Sequence, residues 1–172
     1  MSLGKTARSI IVVIALCFLA VVGAMIANAS SYTGTENKTS ALEKRLHDDR
    51  HLGLTASGIV PEDYYGAGWL AIGAACPGAT EDELLSVGLD EEIVERFNLQ
   101  GGAIDADSNY LILAAADGSD MIFDVDQMEV ADIDLCSFPL QQGMVSGAGN
   151  VVPIQSRILN FVHENGMSYL VS

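Results

Sequence analysis

The chain predicts an α+β domain carried outside a membrane behind one N-terminal apolar helix. Three observations predict this. Residues 10–27, IIVVIALCFLAVVGAMIA, contain no charge, amide or hydroxyl and follow the basic leader MSLGKTARS. Residues 80–97 carry two helix-start signals followed by apolar spacing that repeats at helical period. Beyond Gly101-Gly102 the spacing changes to short segments separated by Asp-Gly and Asn-Gly turns, the pattern of antiparallel strands.

The apolar run covers about 27 Å as a helix, enough to span a thin hydrocarbon core. Lys5 and Arg8 precede it, so the positive-inside rule holds the N-terminus in the cytoplasm and sends the remainder out. Ala20, Gly23, Ala24 and Ala27 fall on one stripe of that helix. Small residues in such a stripe let a second membrane helix approach closely. A competing expectation comes from Ala27-Asn28-Ala29, which has the small-x-small form cut by signal peptidases. Cleavage there would leave a secreted domain beginning at Ser30. Cys17 has Leu16 before it and sits in mid-run, so it reads as a packed thiol and not a lipid attachment point.

Three parts follow: an anchor over 1–29, a linker and short stalk helix over 30–51, and an exported domain over 52–172. From Ser30 onward all 23 acids face only Lys38, Lys44, Arg45, Arg50, Arg96 and Arg157. A chain this acidic lacks the basic patch that nucleic acid or an anionic lipid surface needs. A cationic protein surface or a divalent cation suits it better. Cys76 and Cys136 are the only cysteines of the exported part, and in an oxidising compartment two such thiols form one disulfide.

Ser40 and Glu43 have capping-box spacing and open a helix, ALEKRLHDD, whose apolar stripe is thin enough to suggest a stalk. Residues 53–61 read as a loop. Residues 68–75 read as a buried strand stopped by Pro77-Gly78. Thr80 and Glu83 form a second capping box, with Gly88 ending that helix. Asp90 caps the next helix, EEIVERF. Leu84, Leu85, Val87, Leu89, Ile93, Val94 and Phe97 are the inward face of the pair. Strands are expected over 109–115, 120–126 and 129–135, with Asp117-Gly118 as the first turn. In MIFDVD and EVADIDL, apolar and acidic residues alternate, which predicts a sheet with one wet face. On that face Asp124, Asp126, Asp132 and Asp134 make an acidic partner surface. Residues 141–150 are a glycine-containing loop. Strands at 151–154, 157–162 and 167–171 complete the sheet, the last two joined by Asn165-Gly166.

No constellation for catalysis emerges, and the chain reads as non-enzymatic, without a cofactor. Asp105, Asp107 and Asn109 have the opening spacing of a calcium loop, but Tyr110 stands where glycine is required and Ala116 where the bidentate glutamate belongs. His47 and His51, four apart on one helix, lack a third ligand in sequence. His163 reads as a turn residue. Asn37-Lys38-Thr39 is a glycosylation sequon wherever the source glycosylates.

The segments Cys76-Pro77-Gly78 and Asp134-Leu135-Cys136, behind a single apolar segment, resemble those of small uncharacterised cell-envelope proteins of actinobacteria. Some single-pass proteins of that kind are accessory subunits of the respiratory bcc–aa3 supercomplex. The resemblance implies a larger membrane complex as partner and supplies no catalytic residue.

Overall fold

The computed structural model describes residues 40–141, 149–154 and 156–171. The apolar run, with Ala20, Gly23, Ala24 and Ala27, lies outside the described residues, as does most of the loop expected over 141–150. Among the described residues no helix is long and apolar enough to cross a membrane. They belong to one unit, Thr39–Ser172, of helices and mainly antiparallel sheet, so this unit is α+β.

Helix α1 (Ala41–His51) starts where expected, with the Ser40 hydroxyl accepting from the Glu43 N–H. Its role differs from the stalk expected of it. Leu42 and Leu46 are fully buried and pack in the main core. The stripe is thin because Asp49, also buried, continues it one turn on with a carboxylate where a third apolar residue would stand. The stretch expected to be a loop contains strand β1 (Ala56–Ile59), and a single turn, α2 (Glu62–Tyr65), follows it. Strand β2 (Leu70–Ala75) follows as expected. Its bulge between Ala71 and Gly73 brings backbone close to backbone. A Cβ at Gly73 would stand 3.1 Å from the Val152 carbonyl oxygen, a tight contact that glycine avoids.

Helix α3 (Glu81–Ser86) carries both halves of its capping box: the Thr80 hydroxyl accepts from the Glu83 N–H, and the Glu83 carboxylate accepts from the Thr80 N–H. Thr80→Ala therefore costs about 1 kcal/mol, measurable as a lowered urea midpoint at unchanged m-value. Helix α4 (Glu91–Val94) is capped by Asp90 and is shorter than expected. Phe97 lies beyond its end yet remains buried and stacks on Tyr110, ring centroids 4.8 Å apart. Leu84, Leu89, Ile93 and Val94 face inward as expected, whereas Leu85 and Val87 are exposed. Strands β3 (Leu99–Gln100) and β4 (Ala103–Ile104) form a small ribbon beside them.

The long hairpin of β5 (Ser108–Asp117) and β6 (Asp120–Glu129) turns at the Asp117-Gly118 signal, with Asp117 opposite Asp120. The third strand of the expected meander is reduced to β7 (Ile133–Asp134), which joins a different sheet. Helix α5 (Ser137–Gln141) and strands β8 (Val151–Pro153), β9 (Leu159–Glu164) and β10 (Met167–Leu170) complete the unit. Asn165 and Gly166 both have positive φ, as the two-residue turn between β9 and β10 demands.

Two four-stranded sheets result, ordered β6-β5-β2-β8 and β1-β9-β10-β7; in the second, β7 runs parallel to β10. Strand β5 of the first sheet is buried on both faces, contrary to the single wet face expected, while its edge partner β6 is mostly exposed or half-buried. Leu111 and Leu113 of β5 join α1 and the second sheet in one core. Tyr110 and Ile112 join the α3–α4 pair in another. The near-continuous apolar sequence of β5 is the mark of a strand buried on both sides. The acidic alternation belongs to its edge partner, β6. Cys76 and Cys136 are bonded, Cα atoms 5.8 Å apart across a separation of 60 residues, and both lie in the core between the sheets.

Candidate functional site

A chain of polar side chains crosses one end of the main core. Asp49 Oδ2 accepts a 2.6 Å hydrogen bond from the Ser57 hydroxyl. Ser57 Oγ also lies 2.7 Å from His163 Nε2, and His163 Nδ1 lies 2.9 Å from Ser168 Oγ. Arg50 ends the chain: its guanidinium donates to Ser168 Oγ at 2.9 Å and to the Asp132 backbone carbonyl at 2.8 Å. It also donates to Asp132 Oδ1 at 3.3 Å. Arg45 Nε stands 3.0 Å from Asp49 Oδ1 as an ion pair, though outside hydrogen-bond geometry.

Donor counting fixes the direction of this chain. Asp49, ion-paired with Arg45, is the acceptor, so the single Ser57 proton goes to it. His163 must then donate its Nε2–H to Ser57 and leave Nδ1 to accept from Ser168. Ser168 in turn accepts from Arg50. Every proton has one place to go, and the polarity runs from the cation Arg50 to the anion Asp49. Burial holds the His163 pKa below its ordinary value; Asp49 opposes that shift and Arg50 adds to it. The neutral ring is the form the chain requires.

Ser, His and Asp thus meet, but not in a nucleophile's order. A general base must receive the serine proton, and here that proton is committed to the carboxylate. The only bare ring nitrogen faces Ser168, which is fully buried. The cluster therefore works as a clasp that ties α1 to β1, β9, β10 and the turn before β7.

The four acids expected to share one exposed surface are separated by their partners. Asp124 pairs with Arg96 at 2.6 Å and its Oδ1 accepts from the Val125 N–H at 2.6 Å. Asp126 accepts from the Tyr65 hydroxyl at 2.5 Å, and burial raises its pKa from the ordinary aspartate value. Burial likewise pushes the Tyr65 phenol well up, with Asp126 adding to the shift, so Tyr65 stays a donor. Asp132 pairs with Arg50. Asp134 is buried and caps the turn into α5, accepting from the N–H groups of Cys136 and Ser137, each at 2.8 Å. Glu43, unremarked in sequence as an acid, feels the charges of Asp132, Asp126 and Glu129; its pKa is raised, chiefly by burial.

The other sequence candidates resolve as follows. Asp105 turns back to accept from the Asp107 N–H, while Asn109 is buried and donates to the carbonyls of Met128 and Ile133 at 3.4 and 2.9 Å. Asn109 therefore staples β5 to β6 and β7 and cannot ligate at the surface. Asn109→Ala costs about 1–3 kcal/mol by leaving those carbonyls unmatched, read from the urea midpoint. Among the described residues no group of three or more His, Cys, Asp or Glu is arranged to hold a metal ion. His47 and His51 do meet on the exposed face of α1, their Nε2 atoms 3.1 Å apart. His163 is a strand residue and not a turn residue. Compared with known proteins, the chain matches no family model, no curated protein and no solved structure.

Proposed function

We propose that this chain is a non-enzymatic accessory or binding subunit, anchored by residues 10–27 and displaying its acidic α+β domain outside the membrane. The observation that carries the proposal is the Cys76–Cys136 bond, set in the core of the domain that follows a basic leader and an apolar run. A bridge of this kind persists in an oxidising compartment. The Ser57–His163 pair supports a non-catalytic role, because Asp49 holds the serine proton. The partner is a larger membrane complex, and the resemblance to actinobacterial envelope proteins makes a respiratory assembly the first to probe.

Membranes extracted in mild detergent test this: the chain co-migrates with a larger assembly on native gels. Gly23→Leu with Ala24→Leu releases it if the small-residue stripe is the docking face. Migration of the wild-type chain alone overturns the proposal. The second reading, a secreted domain binding a cation or small ligand, draws on Ala27-Asn28-Ala29. Its signature is a mature N-terminus at Ser30.

A further inference from the structure

The exposed face of α1 holds a feature that neither the clasp nor the acidic edge uses. His47 and His51 stand four residues apart, so their side chains rise from one face of the helix. Their rings lie 4.3 Å apart, centroid to centroid, and their Nε2 atoms are separated by 3.1 Å. We propose that His47 and His51 form a two-imidazole chelate for a divalent transition-metal ion of the copper, nickel or zinc class.

The separation of the nitrogens carries the proposal. Metal–imidazole bonds of about 2.0–2.1 Å set the donor–donor distance at about 3.3 Å for tetrahedral geometry and about 2.9 Å for adjacent octahedral positions. The observed 3.1 Å falls between them. The helix holds that bite in place from its other side, where Leu42, Leu46 and Asp49 are buried and Ser40 caps the start. The backbone that carries both rings is thereby ordered before the ion binds. Both histidines lie in the second half of α1, where the partial negative charge of the helix C-terminus favours a cation. Asp48 Oδ1 lies 4.0 Å from His47 Nδ1, on the side where a carboxylate orients a ligating imidazole.

The proton balance is simple. In the metal-free pair one Nε2–H donates to the other Nε2. Binding requires both Nε2 lone pairs, so the donating ring moves its proton to its own Nδ1. Water fills the remaining positions, which leaves the site open and accessible. Imidazole nitrogen selects copper, nickel and zinc over magnesium and calcium, and the Irving–Williams order puts Cu²⁺ first among them.

The test titrates the full chain, in nonionic detergent and freed of metal by chelator, with Cu²⁺ at pH 7.5. One equivalent binds, and the copper spin-resonance spectrum carries the splitting of imidazole nitrogen. His47→Gln or His51→Gln weakens binding at least tenfold, while His163→Gln leaves it unchanged. Lowering the pH to 5.5 releases the ion, because protons compete for imidazole. Both substitutions are on an exposed helix face and conserve helix propensity, and far-UV circular dichroism verifies that the variants fold. Undiminished binding in the His47→Gln/His51→Gln double variant overturns the proposal, as does copper with oxygen-only coordination that survives at pH 5.5.

Discussion

Reduction of the Cys76–Cys136 bond destabilises the domain by about 4 kcal/mol on chain-entropy grounds, because the bond closes a loop with a separation of 60 residues. The position of the bond strengthens the expectation. Cys76 follows β2 in one sheet, and Cys136 follows β7 in the other. The link thus joins the two layers through the core they share. Exposing two polar thiols is not part of the cost, since both sulfurs remain buried among apolar neighbours when reduced. Urea unfolding of the full chain in detergent, with and without reductant, measures the difference. Cys76→Ala/Cys136→Ala gives the same loss and does not respond to reductant. Equal midpoints for the oxidised and reduced wild type would show that the bridge adds no stability.

The local signals in the sequence were legible, and the reason is that each acts within a few residues. The Ser40 cap, the Thr80–Glu83 capping box, the Asp90 cap, the Asp117-Gly118 hairpin and the Asn165-Gly166 turn all stand where the residues announce them. What was not legible is which sheet a segment joins. β7 has the alternation of a third meander strand, yet its partner is β10, more than thirty residues later. The acids followed the same division. Alternation placed Asp124 and Asp126 on one side of β6, but partners from distant segments, Arg96 and Tyr65, decide what each acid does.

The clasp had a sequence signal that pattern reading passes over. In each element the polar member extends an inward apolar stripe by one position. Asp49 continues Leu42 and Leu46, His163 continues Leu159 and Phe161, Ser57 precedes Ile59, and Ser168 precedes Leu170. A polar residue in phase with a buried stripe is a candidate for a buried network, since polar groups in a core need partners. Sequence alone did not show that these four stripes end at the same place.

Because the clasp is polarised from Arg50 to Asp49, breaking either its charge or its proton order has a large effect. Asp49→Ala leaves the Ser57 donor without its acceptor, a loss of about 1–3 kcal/mol, while Arg45, half-exposed, is resolvated by water. Asp49→Asn keeps an acceptor for Ser57 and loses less. Acid acts on the other end. The His163 pKa is lowered in the folded state, so over the interval below its ordinary value the unfolded chain binds more protons and stability rises with pH. The contribution is complete above about pH 7 and is lost as pH falls through the folded value. The structural cause is visible: a second proton on the ring turns Nδ1 into a donor, facing a Ser168 oxygen that already accepts from Arg50. Glu43 and Asp126 act in the opposite sense. Their raised pKa values mean that ionisation strains the folded state, and protonation relieves it at lower pH, nearer the carboxylate range. Urea midpoints between pH 7.5 and 5.5 therefore decline toward acid in the wild type, and His163→Gln flattens that slope while leaving the carboxylate effect in place. Identical slopes in the two proteins would mean that the ring carries no proton linkage to folding.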